Sequence, residues 1–334
     1  MTTTTMKTAI VTGGCSGIGL GLVKHLLSQP DWRVVIADIR ADAYPAIAGD
    51  LGGDSSRHIF VATDVGSWES QAALFREAFA WSGGRIDFLA ANAGVAEKEH
   101  IVLANPAAAD YETDEPSKPP MLCTQVNQIG VFYGLKLFIH YSRRTARGLL
   151  KTSSLSQSAV AAAGYNPKMV ITSSCAGLYP FSVAPEYCAT KHAVLGLTRA
   201  VGRLLYETDN IAVNCINPAY VETGLSPPSV TAGWPREYIT PVSTMVRAFV
   251  ELISETGRVE GDGKSEGVDG QVKTGQSVEC VVDRLFYRKP PDYADESQRF
   301  LIEQTLDLQN GLWWKGAREL FAKRQQQPPV ISSQ

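Results

Sequence analysis

Tyr187 and Lys191 stand four residues apart within Pro185 to Tyr206, a stretch with a helical pattern, so the two side chains share one face. A phenol with a pKa of about 10 is a poor proton shuttle near neutrality, but a neighbouring ammonium stabilises the phenolate. A tenfold gain in acidity takes roughly 1.4 kcal/mol, so a gain of about a hundredfold or more is within reach of a close, partly desolvated pair. Such a pair suits proton exchange with a substrate hydroxyl. Isolated Y-x-x-x-K spacing is common on solvated helices, and what raises it here is its company. Ser173 and Ser174 close the preceding strand-like run, and ligands of an open parallel sheet gather beyond the carboxyl ends of its strands. A hydroxyl there can hold a substrate oxygen beside the phenol.

A second constellation lies near the N-terminus. Thr12-Gly13-Gly14-Cys15-Ser16-Gly17-Ile18-Gly19 follows an apolar, β-branched run and opens a helical pattern. Strand, glycine turn and helix in that order are the context in which a pyrophosphate meets bare backbone N–H groups and a helix N-terminus. Gly13, Gly17 and Gly19 keep the close-approach positions clear, although a tight turn that only lets strand and helix pack closely would use the same glycines. Asp38 favours the first reading. It ends the next strand, 19 residues beyond Gly19, where a carboxylate hydrogen-bonds both hydroxyls of an adenosine ribose. A 2′-phosphate would meet a like charge there, so NAD is expected over NADP, with Arg40 able to offset part of the repulsion. A cationic nicotinamide ring would also favour the Tyr187 phenolate. Asp64, at the end of the third strand, suits either contact with the adenine edge or the capping of a helix.

Both constellations need a scaffold. From Lys7 onward short β-branched runs alternate with longer helical patterns, the signature of βαβ units winding a parallel sheet. Strands are expected at Thr8 to Thr12, Arg33 to Asp38, His58 to Ala62, Ile86 to Ala90, Met169 to Ser173 and Ile211 to Ile216, with Ser277 to Val282 as a seventh. Most are near-continuously apolar, as strands covered by helices on both faces are. Ile18, Leu22 and Leu26 recur at helical spacing, as do Trp68, Ala72, Phe75 and Phe79, which predicts two amphipathic helices with those faces in the core. Further helices fit Met121 to Arg147, Pro185 to Tyr206 and Thr240 to Ser254. The expected fold is α/β, a Rossmann-like doubly wound parallel sheet of about seven strands in one domain over residues 1–290, with a tail over 291–334. Glu97 to Pro120, Gly148 to Pro167 and Glu255 to Gln276 read as inserted surface loops, and Arg324 to Gln334 as a frayed end.

The whole chain narrows the function classes. At 334 residues, with 44% hydrophobic and 19% charged residues, it has the balance of a soluble globular protein rather than a disordered or fibrous one. Lys and Arg total 31 against 34 Asp and Glu, which provides no positive field for a nucleic acid. The absence of an apolar leader and of any 18-residue apolar stretch argues against secretion and membrane spanning. Cys15, Cys123, Cys175, Cys188, Cys215 and Cys280 form no C-x-x-C pair, and no histidines cluster at ligand spacing. No metal site is therefore expected, and the thiols read as reduced in a cytoplasmic protein. Cys15, Cys175 and Cys188, close to the two constellations, read as packing residues rather than nucleophiles. His192 points about 100° away from Lys191 and reads as a surface residue.

Five motifs occur together and in order: T-G-G-x-S-G-I-G at residues 12–19, N-A-G at Asn92 to Gly94, Asn127, the set Ser174, Tyr187 and Lys191, and N-P-x-x-V-x-T from Asn217 to Thr223. In this the chain resembles the short-chain dehydrogenase/reductase family of the single-domain type, over about residues 6–225 and more weakly to about 290. Ser173 to Leu178 and Tyr187 to His192 are most similar to its hydroxyprostaglandin-dehydrogenase-like branch, which is NAD-linked and acts on lipophilic secondary alcohols. The resemblance implies Tyr187 as general acid/base and Ser174 as the group that orients and polarises the substrate oxygen. Lys191 would lower the phenol pKa and bind the nicotinamide ribose, and Asn127 would hold a water in the proton relay. Cys15, Ser16 and Ile18 would lie in the pyrophosphate turn, Asp64 and Val65 at the adenine, and Asn92, Ala93 and Gly94 on the floor of the cofactor site. Val221 and Thr223, following Pro218, would meet the carboxamide. Pairing as a homodimer or homotetramer is implied through the helices equivalent to Met121 to Arg147 and Pro185 to Tyr206.

The chain departs from the family pattern at Ala219, where glycine is usual, at Thr190, where serine is usual, and at Gln128 to Gly130, a variant of N-V-x-G. None of these removes a group that hydride transfer needs. Gly224 to Ser254, with Pro227, Pro228, Trp234, Pro235, Tyr238 and Pro241, reads as an apolar lid that excludes water, or else as a plain surface excursion. The expected activity is NAD-dependent interconversion of a secondary alcohol and a ketone on a lipophilic small molecule, by an enzyme that tailors specialised metabolites. A scaffold that keeps the dinucleotide for sensing or for a non-redox, cyclase-like step is the competing reading, and the intact Ser174, Tyr187 and Lys191 stand against it.

Overall fold

Every strand expected from the sequence forms within two residues of its expected ends, because each is an apolar run that can be buried on both faces. The computed structural model describes residues 6–51, 54–103, 115–151 and 156–325. It divides into two units, Met1–Arg288 and Lys289–Gln334. The first unit runs β1 (Lys7–Thr12), α1 (Gly17–Ser28), β2 (Trp32–Asp38), α2 (Ala43–Ala48), β3 (His58–Ala62), α3 (Trp68–Trp81) and β4 (Phe88–Ala91). It continues with α4 (Gly130–Leu150), α5 (Gln157–Ala162), β5 (Lys168–Thr172), α6 (Pro185–Asp209) and β6 (Ala212–Pro218). Then come α7 (Pro228–Gly233), α8 (Val242–Ile253), β7 (Ser277–Val281) and β8 (Arg284–Tyr287).

The strands lie in the order β3-β2-β1-β4-β5-β6-β7-β8. All pairs are parallel except β7 with β8, where Val278 faces Tyr287 and Val281 faces Arg284. The chain leaves β1 toward β2 on one side, and β4 flanks β1 on the other, which opens a crevice at the carboxyl ends of β1 and β4. The eighth strand exceeds the expected seven.

Two apolar clusters cover the two faces of the sheet. One joins Ile10, Val35, Leu89 and Ile171 to Leu74 and Phe75 of α3, Phe138 of α4 and Val194 of α6. The other joins Val11, Val34, Ala90 and Ile216 to Leu22 and Leu26 of α1 and to Met245, Phe249 and Leu252 of α8. The second cluster corrects the extent of the expected lid. Met245, Ala248, Phe249 and Leu252 recur on one helix face and are fully buried, so α8 is core, and only the stretch before it is exposed. There α7 and the turn Arg236–Tyr238 fold back on Tyr220, whose ring stacks on Trp234 at 4.1 Å and whose hydroxyl lies 2.6 Å from Thr231 Oγ1.

Three further expectations change. Met121 to Arg147 is not one regular helix: Met121 has φ 51°, Thr124–Ile129 form a π-helical turn, and α4 begins only at Gly130. The stretch from Gly148 to Pro167 is not all surface loop. Ser156 caps α5 by accepting from Ala159 N at 3.2 Å, and Val160 and Tyr165 are buried against Ala146, with the Tyr165 hydroxyl donating to Ile86 O. The loop before β7 is pinned by Lys273, whose buried Nζ donates to Gly257 O at 2.7 Å, to Gln271 O at 3.2 Å and to Val268 O. Residues 104–114 of the first expected loop and 152–155 of the second lie outside the described residues.

The second unit contains α9 (Glu296–Arg299), a π-helical turn (Phe300–Gln304) and α10 (Leu312–Gln325). Of the expected frayed end, Arg324 and Gln325 continue α10, and residues 326–334 lie outside the described residues. Among the described residues no helix is long and apolar enough to cross a membrane.

Candidate active site

The carboxyl ends of β1, β2, β4, β5 and β6 all face the same way, because these strands are parallel. That brings the ends Thr12, Asp38, Ala91, Thr172 and Pro218 to one side of the sheet, together with the residues that follow them. Asn92 stitches three of these ends. Its Nδ2 donates to Thr12 O at 3.1 Å, its Oδ1 accepts from Thr172 Oγ1 at 3.1 Å, and its N donates to Thr12 Oγ1 at 3.0 Å. Ala93 N donates to the same hydroxyl at 3.1 Å.

The glycine turn fits an anionic ligand. Gly13 has φ +64°, and a Cβ there would lie 3.0 Å from Ala93 Cα. A Cβ on Gly19 would lie 2.1 Å from the Gly13 carbonyl oxygen, so only glycine lets α1 come this close to the turn. The first-turn amides of α1 have no intrahelical acceptors, Ser16 caps none of them with its side chain, and no acidic residue occupies the turn. Such a terminus favours a phosphate. Thr223, following Pro218 and the buried Val221, lies over the turn, where a Cβ on Gly17 would come 3.1 Å from its Cγ2. Ile18 packs partly buried against the core.

Asp38 is buried at the expected end of β2. Its Oδ2 accepts from Cys15 N at 3.1 Å and its Oδ1 from Arg40 N at 3.0 Å. Arg40 is more than half exposed; its Nε lies 3.6 Å from Asp38 Oδ1 and its guanidinium donates to Ser16 Oγ at 2.8 Å. The end of β2 therefore carries both a carboxylate and a cation. Asp64 does not cap α3. That is done by Ser67, which accepts from Ser70 N, whereas Asp64 Oδ1 accepts from Gly66 N at 2.8 Å in an exposed turn. The neighbouring Val65 carbonyl is held by Gln71 Nε2 at 2.6 Å.

Ser174, Tyr187 and Lys191 come together beyond β5. Ser173 Oγ donates to Lys191 O at 2.9 Å, and Ser174 Oγ accepts from Ala176 N at 3.1 Å, capping the tight turn Cys175–Gly177. A Cβ on Gly177 would lie 2.7 Å from Lys191 O, so this glycine lets the turn rest directly on α6. Lys191 is buried; its Nζ donates to Thr172 O at 2.9 Å and lies 5.4 Å from the centre of the Tyr187 ring. Asn127, buried in the π-helical turn, is engaged through both amide atoms: Oδ1 accepts from Val95 N at 2.8 Å and Nδ2 donates to Val95 O at 2.9 Å. A Cβ on Gly94 would lie 3.2 Å from that Oδ1 and 3.6 Å from Lys191 Nζ.

The electrostatics run opposite to the expected acidification of the phenol. Burial pushes Tyr187 up to about 12, against a smaller downward pull from the Ser174 hydroxyl. Burial likewise pushes Lys191 down to about 8. Desolvation disfavours both phenolate and ammonium, and the amine lies 5.4 Å from the centre of the ring. Acidification of Tyr187 therefore needs a further positive charge. The thiols are unsuited to nucleophilic work: burial raises Cys15 to about 11 and Cys123 to about 12, and raises Cys175 as well. His192 is exposed, as expected. Among the described residues no group of His, Cys, Asp and Glu could hold a metal.

Two carboxylates of the site were not expected from the sequence. Glu97 Oε2 accepts from Tyr187 N at 3.0 Å, and Glu186 Oε1 accepts from Thr124 N at 2.8 Å. Nothing in the run Glu97-Lys98-Glu99 distinguishes the glutamate that turns inward.

Comparison with known proteins identifies the family. The short chain dehydrogenase family model matches residues 7–232. The chain is 31% identical over 281 residues to the short-chain dehydrogenase/reductase prx6 of Penicillium rubens, covering 83% of this chain and 80% of that protein. It is 32% identical over 281 residues to the NADP-dependent dehydrogenase M3 of a Phoma species, covering 83% and 71%. Similarity to the 5'-hydroxyaverantin dehydrogenase of Dothistroma septosporum is 31% over 231 residues, covering 66% and 69%. A crystal structure of 3-ketoacyl-(acyl-carrier-protein) reductase from Brucella melitensis complexed with NADH shares the fold, with a TM-score of 0.61, 22% identity, and coverage of 83% and 98%. These names do not single out the hydroxyprostaglandin-dehydrogenase-like branch. With the family model spanning well over half of the chain, the protein belongs to the short-chain dehydrogenase/reductase family of oxidoreductases.

Proposed function

We propose that this protein interconverts a secondary alcohol and a ketone on a lipophilic small molecule, with NAD(H) as hydride carrier. The observation that carries the reading is the convergence of Ser174, Tyr187 and Lys191 beyond β5, on the same side of the sheet as the uncapped glycine turn. When bound, the dinucleotide accepts or donates the hydride at its nicotinamide C4. In oxidation, the Tyr187 phenolate takes the substrate hydroxyl proton as the carbinol hydrogen leaves as hydride; in reduction, the phenol returns that proton to the new alkoxide. Ser174 holds the oxygen in place, and Lys191 binds the ribose with the amine that also donates to Thr172 O. Gly13, Cys15, Ser16, Gly17, Ile18 and Gly19 hold the pyrophosphate, Asp64 and Val65 the adenine, and Asn92, Ala93 and Gly94 the floor. Pro218, Val221 and Thr223 line the nicotinamide end, with residues 224–239 as the lid.

Asp38 supports NAD. NADP is the second reading, favoured by the Arg40 guanidinium spanning Asp38 and Ser16 and by relatives named NADP-dependent. The fungal relatives include a 5'-hydroxyaverantin dehydrogenase, which supports a role in specialised metabolism. No observation favours the non-redox alternative. A homodimer or homotetramer built on α4 and α6 completes the reading; Phe132 of α4 is nearly half exposed. The test is purified protein with NAD or NADP and a panel of cyclic and acyclic secondary alcohols, followed by absorbance of the reduced nicotinamide. Turnover with NAD exceeding that with NADP is the expected result, and failure to bind either dinucleotide would sink the reading.

The pKa directions set the pH profile. With Tyr187 held high, the phenol is protonated at neutrality, so ketone reduction should stay nearly flat between about pH 6 and 8. Alcohol oxidation needs the phenolate and should rise with pH over the same range, by at most about tenfold per unit and less steeply the more the cationic nicotinamide lowers the phenol. Steady-state rates in both directions check this. An oxidation rate that falls with rising pH would contradict Tyr187 as the base.

A further inference from the structure

The site helix lacks the cap its sequence would normally supply. Ala184 occupies the N-cap position of α6 with no side-chain hydrogen bond, and Pro185 follows as the first helical residue. Tyr187 is the third, and its N–H is one of those an N-cap side chain would ordinarily satisfy. Here the acceptor arrives from 90 residues away: Glu97 Oε2, five residues beyond Asn92. The bond belongs to a closed circuit of three segments. Glu97 ties the segment after β4 to α6, Glu186 ties α6 to the π-helical turn at Thr124, and Asn127 ties that turn back to Val95. A second tether lies three residues past Glu97, where His100 Nε2 is 2.8 Å from Ser182 O.

The other carboxylate oxygen, Oε1, is buried and has no hydrogen-bond partner among the described residues. An oxygen left in that state costs free energy that an amide or hydroxyl tethered elsewhere would avoid. It is offset in part because a negative charge lies at the N-terminus of a 25-residue helix. The cap sits on the backbone of Tyr187 itself, so its loss would free the first turn of α6 to shift the phenol relative to Ser174, while Lys191, one turn further on, stays held by Thr172 O and by the Ser173 hydroxyl.

We propose that Glu97 is a positioning residue for Tyr187: by capping the site helix in trans it sets the placement of the phenol between Ser174 and Lys191. This rests on the reading of Tyr187 as general acid/base. The experiment compares Glu97→Ala and Glu97→Gln with the full-length parent, measuring kcat, KM for the dinucleotide, dinucleotide-binding stoichiometry and amide hydrogen exchange at residues 185–188. Glu97→Ala should lower kcat on the order of 10- to 100-fold per dinucleotide-binding site, the size of loss that a misplacement of about 1 Å brings. Its KM for the dinucleotide should stay within about twofold, because Glu97 meets only the backbone N–H of Tyr187 and none of the glycine-turn or Asp38 groups assigned to that ligand. Glu97→Gln, whose amide oxygen can still accept the Tyr187 N–H, should recover most of the rate. Exchange at Tyr187 should speed up in Glu97→Ala and not in Glu97→Gln.

Parental kcat and unchanged exchange in Glu97→Ala would overturn the proposal, as would equal impairment of the two variants, which would point to the charge and not the cap. A parent without turnover, or an active Tyr187→Phe, would instead overturn the functional reading. The exchange measurement still decides the capping role in that case.

Discussion

Tyr187→Phe should reduce turnover by about 10³-fold or more in both directions while leaving dinucleotide affinity within a few-fold of the parent. The substitution removes one oxygen and keeps the ring. Its neighbours stay in place, because Lys191 is held by the Thr172 carbonyl, Ser173 by the Lys191 carbonyl, and Ser174 by the amide of Ala176. The neighbouring groups are poor substitutes for the phenol, since Lys191 Nζ is engaged with Thr172 O. The nearby thiols Cys15, Cys123 and Cys175 are all pushed upward by burial and remain protonated. Initial rates with matched dinucleotide titrations decide the matter. Retention of a tenth of the parental rate would mean that the proton travels by another path.

Gly19→Ala should have the second large effect, on the other half of the site. The added methyl would stand 2.1 Å from Gly13 O and 2.8 Å from Asn92 Nδ2. The first obstacle is backbone, in a residue whose own φ is +64° and which abuts Ala93, so it cannot swing aside as a side chain would. Relief requires α1 to move off the turn, which displaces the amides proposed to hold a pyrophosphate. The expected outcome is a loss of dinucleotide affinity on the order of 100-fold or more, with about 1–3 kcal/mol of lost stability from overpacking. Gly49→Ala is the control, since a methyl there meets nothing within 4 Å. Calorimetric titration and denaturant unfolding of the two variants test this. Parental affinity in Gly19→Ala would remove the turn from the binding site.

Much of this arrangement was legible in the residues themselves. Buried parallel strands are written as apolar runs, so β1 to β7 follow from composition and punctuation. The spacing of Tyr187 and Lys191 depends only on helical geometry, and Ser174 only on the end of β5. What escaped depends on contacts between distant segments. β8 follows a turn at Val282, a β-branched residue with φ +52°, which no turn rule anticipates. It is held there from outside, by Thr240 Oγ1 on its N–H at 2.9 Å and by Thr244 Oγ1 on its carbonyl at 2.7 Å. Tyr165 enters the core because α5 turns it inward, and a Ser/Ala-rich stretch gives no period from which to foresee that.

In the site itself, the residue types were readable and their surroundings were not. A titration shift depends on how much solvent a group loses, and Tyr187 loses enough to outweigh the downward pull of the Ser174 hydroxyl. The same limit hid Glu97 and Glu186, whose partners lie 90 and 62 residues away. Polar insertions look alike in composition whether they wave in water or hold a helix in place.

Trp234 and Tyr220 stack at 4.1 Å with their planes 19° apart, at the base of the exposed segment that precedes α8. Two chromophores at that separation couple their electronic transitions, so the docked segment should add its own contribution to the circular dichroism of the aromatic residues. A ligand that lifts the segment would separate the rings and remove that contribution, which would make the movement of this part of the chain visible by light alone, without a label.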